Sequence, residues 1–247
     1  MFTLIWHTIF FDPIYNFLIA LIDVVPGGDI GVAIIILTIV VKIGLLPLSI
    51  KATLTQRGMQ DIEPQLAELK EKYKDNREQL AKETMALYST AGVNPFASIV
   101  LLFIQIPIVI ALYIAVARGG GIQLPDINTA LLYSFVSVPH MPSMLFLGIV
   151  DIAAKSLPLA LLAGITQFIQ AQLAFPAKPK AAKTDAAPTL KEDFARSMQM
   201  QMRYVMPVLI FFFAYTISAS VSLYFVVSNL IGILQEQILK GHRAPRV

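Results

Sequence analysis

The sequence predicts an all-α polytopic membrane protein that carries a helical hairpin in water. Three observations lead there. Hydrophobic residues make up 56% of the 247-residue chain and charged residues only 14%, against about 25% charged in ordinary soluble domains. The apolar residues fall in runs, and each bilayer crossing needs ~20 of them. Finally, 16 of the 19 Lys and Arg lie in three segments, Lys51–Asn94, Pro176–Arg203 and the tail from Lys240. Loops rich in Lys and Arg stay cytoplasmic, so these segments set the topology. The net charge of +3 is therefore an orientation signal rather than a nucleic-acid footprint. With no cysteine, disulfides, thiolate metal sites and a Cys nucleophile are excluded.

The elements follow in order. Residues 1–29 read as an external or interfacial N-terminal helix. Asp12-Pro13 breaks the apolar stretch, and Asn16 and Asp23, seven apart, put a wet stripe on one face. A sixth span with the N-terminus inside satisfies the same parity. A cleaved signal peptide is not expected, because no basic segment precedes the stretch. Residues 30–54 form span 1, a run broken by Lys42 with Pro47 near its inner end, and 55–93 form the hairpin. Span 2, 94–117, opens with Asn94 as N-cap and Pro95 at the first helical position, and glycines at 119–121 stop it. Residues 118–155 are an external loop with short surface helices, since Pro139 and Pro142 interrupt the stretch and a span there would put the next basic loop outside. Span 3 is 156–175, followed by a basic cytoplasmic loop, 176–203, whose Ala/Pro-rich stretch Lys178–Leu190 is expected to be disordered. Tyr204–Leu239 must begin and end inside. It therefore holds spans 4 (204–217) and 5 (221–239), joined by a tight turn at Ser218-Ala219-Ser220, and 240–247 are a basic tail. The total is five spans, N-terminus outside and C-terminus inside.

The hairpin differs from the rest. Thirteen of the 39 residues in Thr55–Val93 are charged. Met59, Ile62, Leu66, Leu69 and Tyr73 follow the 3-4-3-4 spacing of a narrow helical seam, and Leu80, Thr84 and Leu87 continue it on a return arm. Asp75-Asn76 breaks the pattern, and Asp75 is the expected cap of the second arm, with Glu78 three residues on as in a capping box. Pro64 should kink or restart the first arm. A simple connector needs only a few residues, so a long paired element suggests a role of its own.

Lys42 is the most informative position. In a span ending at Ile50 it lies about 12 Å from the inner boundary, beyond full snorkelling reach, and a mid-helix lysine costs ~2.5–3.5 kcal/mol. Such a residue normally faces a partner or a hydrated cavity. No acidic residue lies in the spans except Glu236 near the inner end of the last, which favours a cavity. Thr38 lies one turn earlier on the same face. Gln105, Gln167, Gln170 and Asn229 are further intramembrane polar groups that can line a cavity or hydrogen-bond between helices. No HExxH, GxSxG, Walker A or GxGxxG motif is present, and His7, His140 and His242 are widely separated. No catalytic residue, cofactor or metal is expected.

The ordered set of motifs resembles the YidC-type membrane protein insertases, related to the mitochondrial oxidase-assembly and chloroplast Albino proteins. The matching pieces are GVAIIILT from Gly31, KIGLLPL from Lys42, EPQL from Glu63 and KEKYKD from Lys70. They continue with MALY from Met85, GVNP from Gly92, LFIQIPI from Leu102, LAGIT from Leu162, YVMP from Tyr204 and LYFVVSN from Leu223. The match runs from about Phe11 to Leu239.

The resemblance implies a non-enzymatic insertase and chaperone of a bacterial plasma membrane. Its core helices would enclose a hydrophilic groove open to cytoplasm and lipid and closed outside. It implies nascent membrane-protein clients and lipid as partners, with the ribosome and a Sec translocon as further candidates, and no specific nucleic acid. The family's positive groove residue falls on Lys42, its client-contacting Thr on Thr38, its groove Gln on Gln170 and its aromatic on Phe225, and Gln105 is added as groove lining. Lys42 replaces the usual Arg, Phe225 replaces Trp or Tyr, and Ser218-Ala219-Ser220 stands where Pro-Ala-Gly is common. The large external domain of some members is not expected here, and the eight residues after Leu239 are expected to leave little for ribosome docking. The rivals are a small transporter or channel using Lys42, which no internal repeat or paired broken helix supports, and an assembly factor that only binds partners.

Overall fold

The computed structural model describes residues 2–94, 96–117, 121–175 and 200–240. The chain is an all-α polytopic membrane protein with one small β-hairpin among the described residues. Its helices are α1 (Thr3–Val24), α2 (Ile30–Gly44), α3 (Leu46–Asp61), α4 (Glu63–Lys72), α5 (Arg77–Thr90), α6 (Phe96–Ala117), α7 (Leu157–Ala174), α8 (Met206–Ile217) and α9 (Ala219–Ile238). Strands β1 (Leu145–Phe146) and β2 (Val150–Asp151) pair antiparallel. Among the described residues α1, α7 and α9 are long and apolar enough to cross a membrane, and α2 with α3 forms a fourth candidate bent by 64°. Phe103–Ala117 and Arg203–Ile217 are shorter apolar helices. Most of the basic loop, including Lys178–Leu190, the tail beyond Lys240 and the glycines at 119 and 120 lie outside the described residues.

Three prolines shape the helices differently. Pro13 lacks an N–H and its ring would strike the carbonyl four residues back. A π-helical turn over Trp6–Phe11 widens the backbone just before it, so α1 runs on through Asp12-Pro13. Pro47 sits in the first turn of α3, after the break at Leu45, where its missing donor costs nothing. The run expected to continue through 54 is thus two helices, and α2 ends at Gly44. Pro64 likewise restarts the chain as α4 after Ile62.

The expected wet stripe on α1 is corrected. Asn16 is 2% exposed. Its amide donates to the Asp12 and Leu131 carbonyls, both at 2.9 Å, and its oxygen accepts from the Tyr133 N–H at 2.6 Å. A buried amide must be satisfied, and this one is satisfied by hooking the 121–155 loop onto α1; Asp23 stays exposed. Tyr15, Leu18, Ile19 and Ile22 of α1 join the main core together with Ile34 and Leu37 of α2, Leu112 of α6 and Leu223 of α9.

The same loop closes one end of the bundle. It holds a β-hairpin besides a short 3-10 turn at Thr129–Leu131, where only short helices are expected from the sequence. Asp29 caps α2 by accepting from the Val32 N–H at 3.1 Å, and its other oxygen accepts from Leu147 N–H at 2.7 Å. The first N–H groups of α9 donate to loop carbonyls, Ala219 to Ala154 at 2.7 Å and Ser220 to Ile152 at 3.0 Å. Orphan donors at a helix start are thereby satisfied, as a hydrocarbon environment demands. Between α8 and α9 only Ser218 is extended. The Ser222 hydroxyl stitches the turn by donating to Ala214 and Ser218 carbonyls at 3.1 and 3.2 Å.

At the other end, α4 and α5 form the hairpin. Ile62 is buried, and Met59, Leu66, Leu69, Tyr73, Leu80, Thr84 and Leu87 are all half-buried, while the charged residues around the tip are exposed. The cap of the return arm is Asn76, not Asp75: its side chain accepts from Gln79 N–H at 3.0 Å. The helix begins one residue later than expected, at Arg77, and the Ncap residue bonds the N–H three positions on.

Candidate functional site

Lys42 lies in the last turn of α2, two residues before Gly44. Partial negative charge at a helix C-terminus favours a cation there. The break at Leu45 then swings α3 across the hairpin end of the bundle. Its polar side chains Ser49, Thr53, Gln56 and Gln60 recur at 4-3-4 spacing, which gathers them on one helical face. Ser49 donates to Gln235 Oε1 at 2.8 Å, and Gln235 Nε2 donates to Thr53 at 3.0 Å. Gln56 and Gln60 both donate to the Ala174 carbonyl at 3.2 Å, satisfying the end of α7. Arg57 does the same for α9, donating to the Leu239 carbonyl at 2.5 Å and to Glu236 Oε2 at 2.6 Å.

Beneath α3 these groups leave a cavity of about 180 Å3, lined by Lys42, Ser49, Thr53, Gln56, Gln170, Gln235 and Glu236, with Ala52, Leu101, Ala174, Ile231 and Gly232. That is room for several waters, and the lining offers them partners. Lys42 is half-buried, and the described residues give it no ion pair. An ammonium cannot be left dry and unpaired, so the cavity must hydrate it. The end of the bundle opposite this cavity is the one stitched shut by the loop.

Of the sequence-derived site residues, Lys42 and Gln170 meet at this cavity. Thr38 does not line it: the residue is fully buried and its hydroxyl donates back to the Ile34 carbonyl at 2.7 Å. Gln105 is half-buried on α6 and lies outside the lining. Phe225 packs edge to face against Tyr224 and Phe213, with centroids 5.7 and 6.4 Å apart. Asn229 bridges helices, donating to the Ala163 carbonyl and Thr166 hydroxyl at 3.2 Å, one of the two roles open to it. The stripe on α3 and the Arg57–Glu236 pair are absent from the sequence-derived set. The 4-3-4 spacing of the stripe was the available signal. Among the described residues no group of three or more His, Asp or Glu could hold a metal ion.

Gly232 sets the position of Gln170. A Cβ on Gly232 would overlap the Gln170 amide, with Cδ at 2.7 Å. The obstacle is the far end of a flexible side chain. Gly232→Ala should therefore displace Gln170 rather than the helices and cost about 1 kcal/mol, the low end for overpacking. Thermal unfolding in detergent checks this: adding Gln170→Ala to Gly232→Ala should recover the lost stability.

The comparison that decides the family covers nearly the whole chain. Residues 21–245 match the family described as 60Kd inner membrane protein. The chain belongs to this family. Relatives within it are similar at about one residue in three. Membrane protein insertase YidC 2 of Bacillus anthracis is 34% identical over 241 residues, 96% of this chain and 82% of its own length. Membrane protein insertase YidC of Clostridium tetani is 31% identical over 231 residues, covering 94% and 90%. Membrane protein insertase MisCA of Bacillus subtilis is 32% identical over 231 residues, covering 91% and 75%. These names leave the transporter alternative without support.

Proposed function

We propose that this chain is a membrane protein insertase and chaperone. It takes apolar client segments with polar flanks from the cytoplasm, passes the flank into the cavity at Lys42, and lets the segment partition sideways into lipid. No covalent chemistry is needed and no enzymatic activity is assigned. The observation that carries the reading is an ammonium without an ion pair among the described residues, in a polar cavity at the end of an apolar helix, opposite an end closed by hydrogen bonds. A cavity of this kind shortens the hydrocarbon that a polar flank must cross. It also raises the pull of Lys42 on an acidic flank: at 4 Å, unit charges attract by about 4 kcal/mol at an effective dielectric of ~20, against ~1 in bulk water. The names of the relatives support the same reading.

The topology that goes with it is five spans, α2, α6, α7, α8 and α9, with α1 at the outer interface and the N-terminus outside, the hairpin and C-terminus in the cytoplasm, and α3 as the cytoplasmic roof of the cavity. Thr38, Gln105 and Phe225 belong to the packing around the groove in this reading. Nascent membrane proteins and lipid are the partners. The ribosome and a Sec translocon are further proposed partners, on the family resemblance alone.

Purified protein in liposomes should raise the protease-protected yield of a short single-span client above that of empty liposomes. Ion flux through the same liposomes without client insertion would overturn the reading.

A further inference from the structure

We propose that Arg57 acts as a positioning residue that keeps Glu236 from neutralising Lys42; the functional consequence rests on the insertase reading, the electrostatic one does not. Lys42 and Glu236 line the same cavity of about 180 Å3. Left to themselves, opposite charges there would pair, and the cavity would present a client with no net charge. The structure pairs Glu236 elsewhere. Its Oε2 accepts from Arg57 Nη2 at 2.6 Å, while Arg57 also reaches the backbone carbonyls of Leu239 at 2.5 Å and Glu236 at 3.4 Å. The Glu236 side chain is 8% exposed, and a carboxylate buried to that degree is strongly destabilised when its cation is removed. Arg57 is the stronger claimant: its fork spans the carboxylate and the helix-end carbonyls together, and the α9 C-terminus favours a positive charge. The lysine ammonium offers only a point charge at the end of a flexible stem. Arg57 therefore holds the one acidic side chain among the described residues of the cavity lining on the α3–α9 contact and leaves Lys42 available.

Removal of Arg57 leaves a buried carboxylate whose remaining cation within the cavity lining is Lys42. The test uses the full-length protein in lipid nanodiscs and a water-soluble carbodiimide, which joins a lysine amine to a carboxylate that touches it. Mass spectrometry reads the Lys42–Glu236 bond. Arg57→Gln should raise its yield several-fold over the parent, and Arg57→Lys, which keeps a cation at the helix end, should give an intermediate yield. In liposomes, Arg57→Gln should lower insertion of an acid-flanked client several-fold and leave a neutral-flanked client unchanged, and adding Glu236→Gln should restore the loss. A purely structural role for Arg57 would lower both clients alike and give no rescue. If the Lys42–Glu236 yield does not rise in Arg57→Gln, the proposal is overturned. A raised yield with undiminished insertion of the acid-flanked client upholds the sequestration and instead removes Lys42 from client handling.

Discussion

Replacing Lys42 with Ala is expected to lower insertion of clients with acidic translocated tails about tenfold, equivalent to ~1.4 kcal/mol, while Lys42→Arg remains close to the parent. The size follows from the surroundings. A fully exposed ion contact contributes at most about 1 kcal/mol, and the cavity strengthens it by excluding bulk water. Hydration of the cavity keeps the effect from reaching the values of a dry pair. Alanine removes the charge and leaves the polar stripe of α3 and Gln170 in place, so the cavity stays wet and neutral-tailed clients should change little. Arginine keeps the charge and can donate to two oxygens of a carboxylate at once. Protease protection of matched acidic and neutral clients measures both effects. Equal insertion of the acidic client by the alanine variant would defeat the role given to Lys42.

Sequence reasoning located Lys42 because an isolated charge in an apolar run stands out in one dimension. The helical seam from Met59 to Tyr73 was legible for a similar reason: its spacing is local, and the described side chains are buried or half-buried where the spacing places the seam. Features that depend on what a residue meets were hidden. Pro47 was legible as a proline near the inner end of span 1, but not as the start of a second helix turned by 64°, and this turn moves Lys42 to a helix end. Asn16 looked like a water-facing residue because its partners Leu131 and Tyr133 lie over a hundred positions away. Arg57 and Glu236, 179 positions apart, carry no mutual signal in a single sequence. Arg57 was counted only as one more charge of a basic segment. The misassigned cap at Asp75 has a local cause: Asp75 and Asn76 are both good N-caps, and a shift of one residue in the helix start decides between them.

Deleting Met59–Leu87 should abolish most client capture and leave the bundle intact. The two halves of this expectation come from different contacts. The root of the hairpin is held by residues that the deletion spares: Ser49 and Thr53 on Gln235, Gln56 on the α7 end, and Arg57 on Glu236 and Leu239. Only the Gln60 contact to Ala174 is lost among these, and a second donor from Gln56 remains on that carbonyl. The core shared by α1, α2, α6 and α9 contains no residue of the deleted stretch. The arms themselves make a different kind of surface. Their seam is half-buried rather than closed, with Met85 57% exposed beside it, and flexible methionine suits contact with varied apolar segments. An element of this length, charged outside and incompletely covered along its seam, is longer than a connector needs. Site-specific crosslinking to a nascent client should fall severalfold in the deletion variant, while protease mapping of its membrane segments matches the parent. Undiminished crosslinking would assign the hairpin to connection alone, and a changed protease pattern would place it in the folding of the bundle.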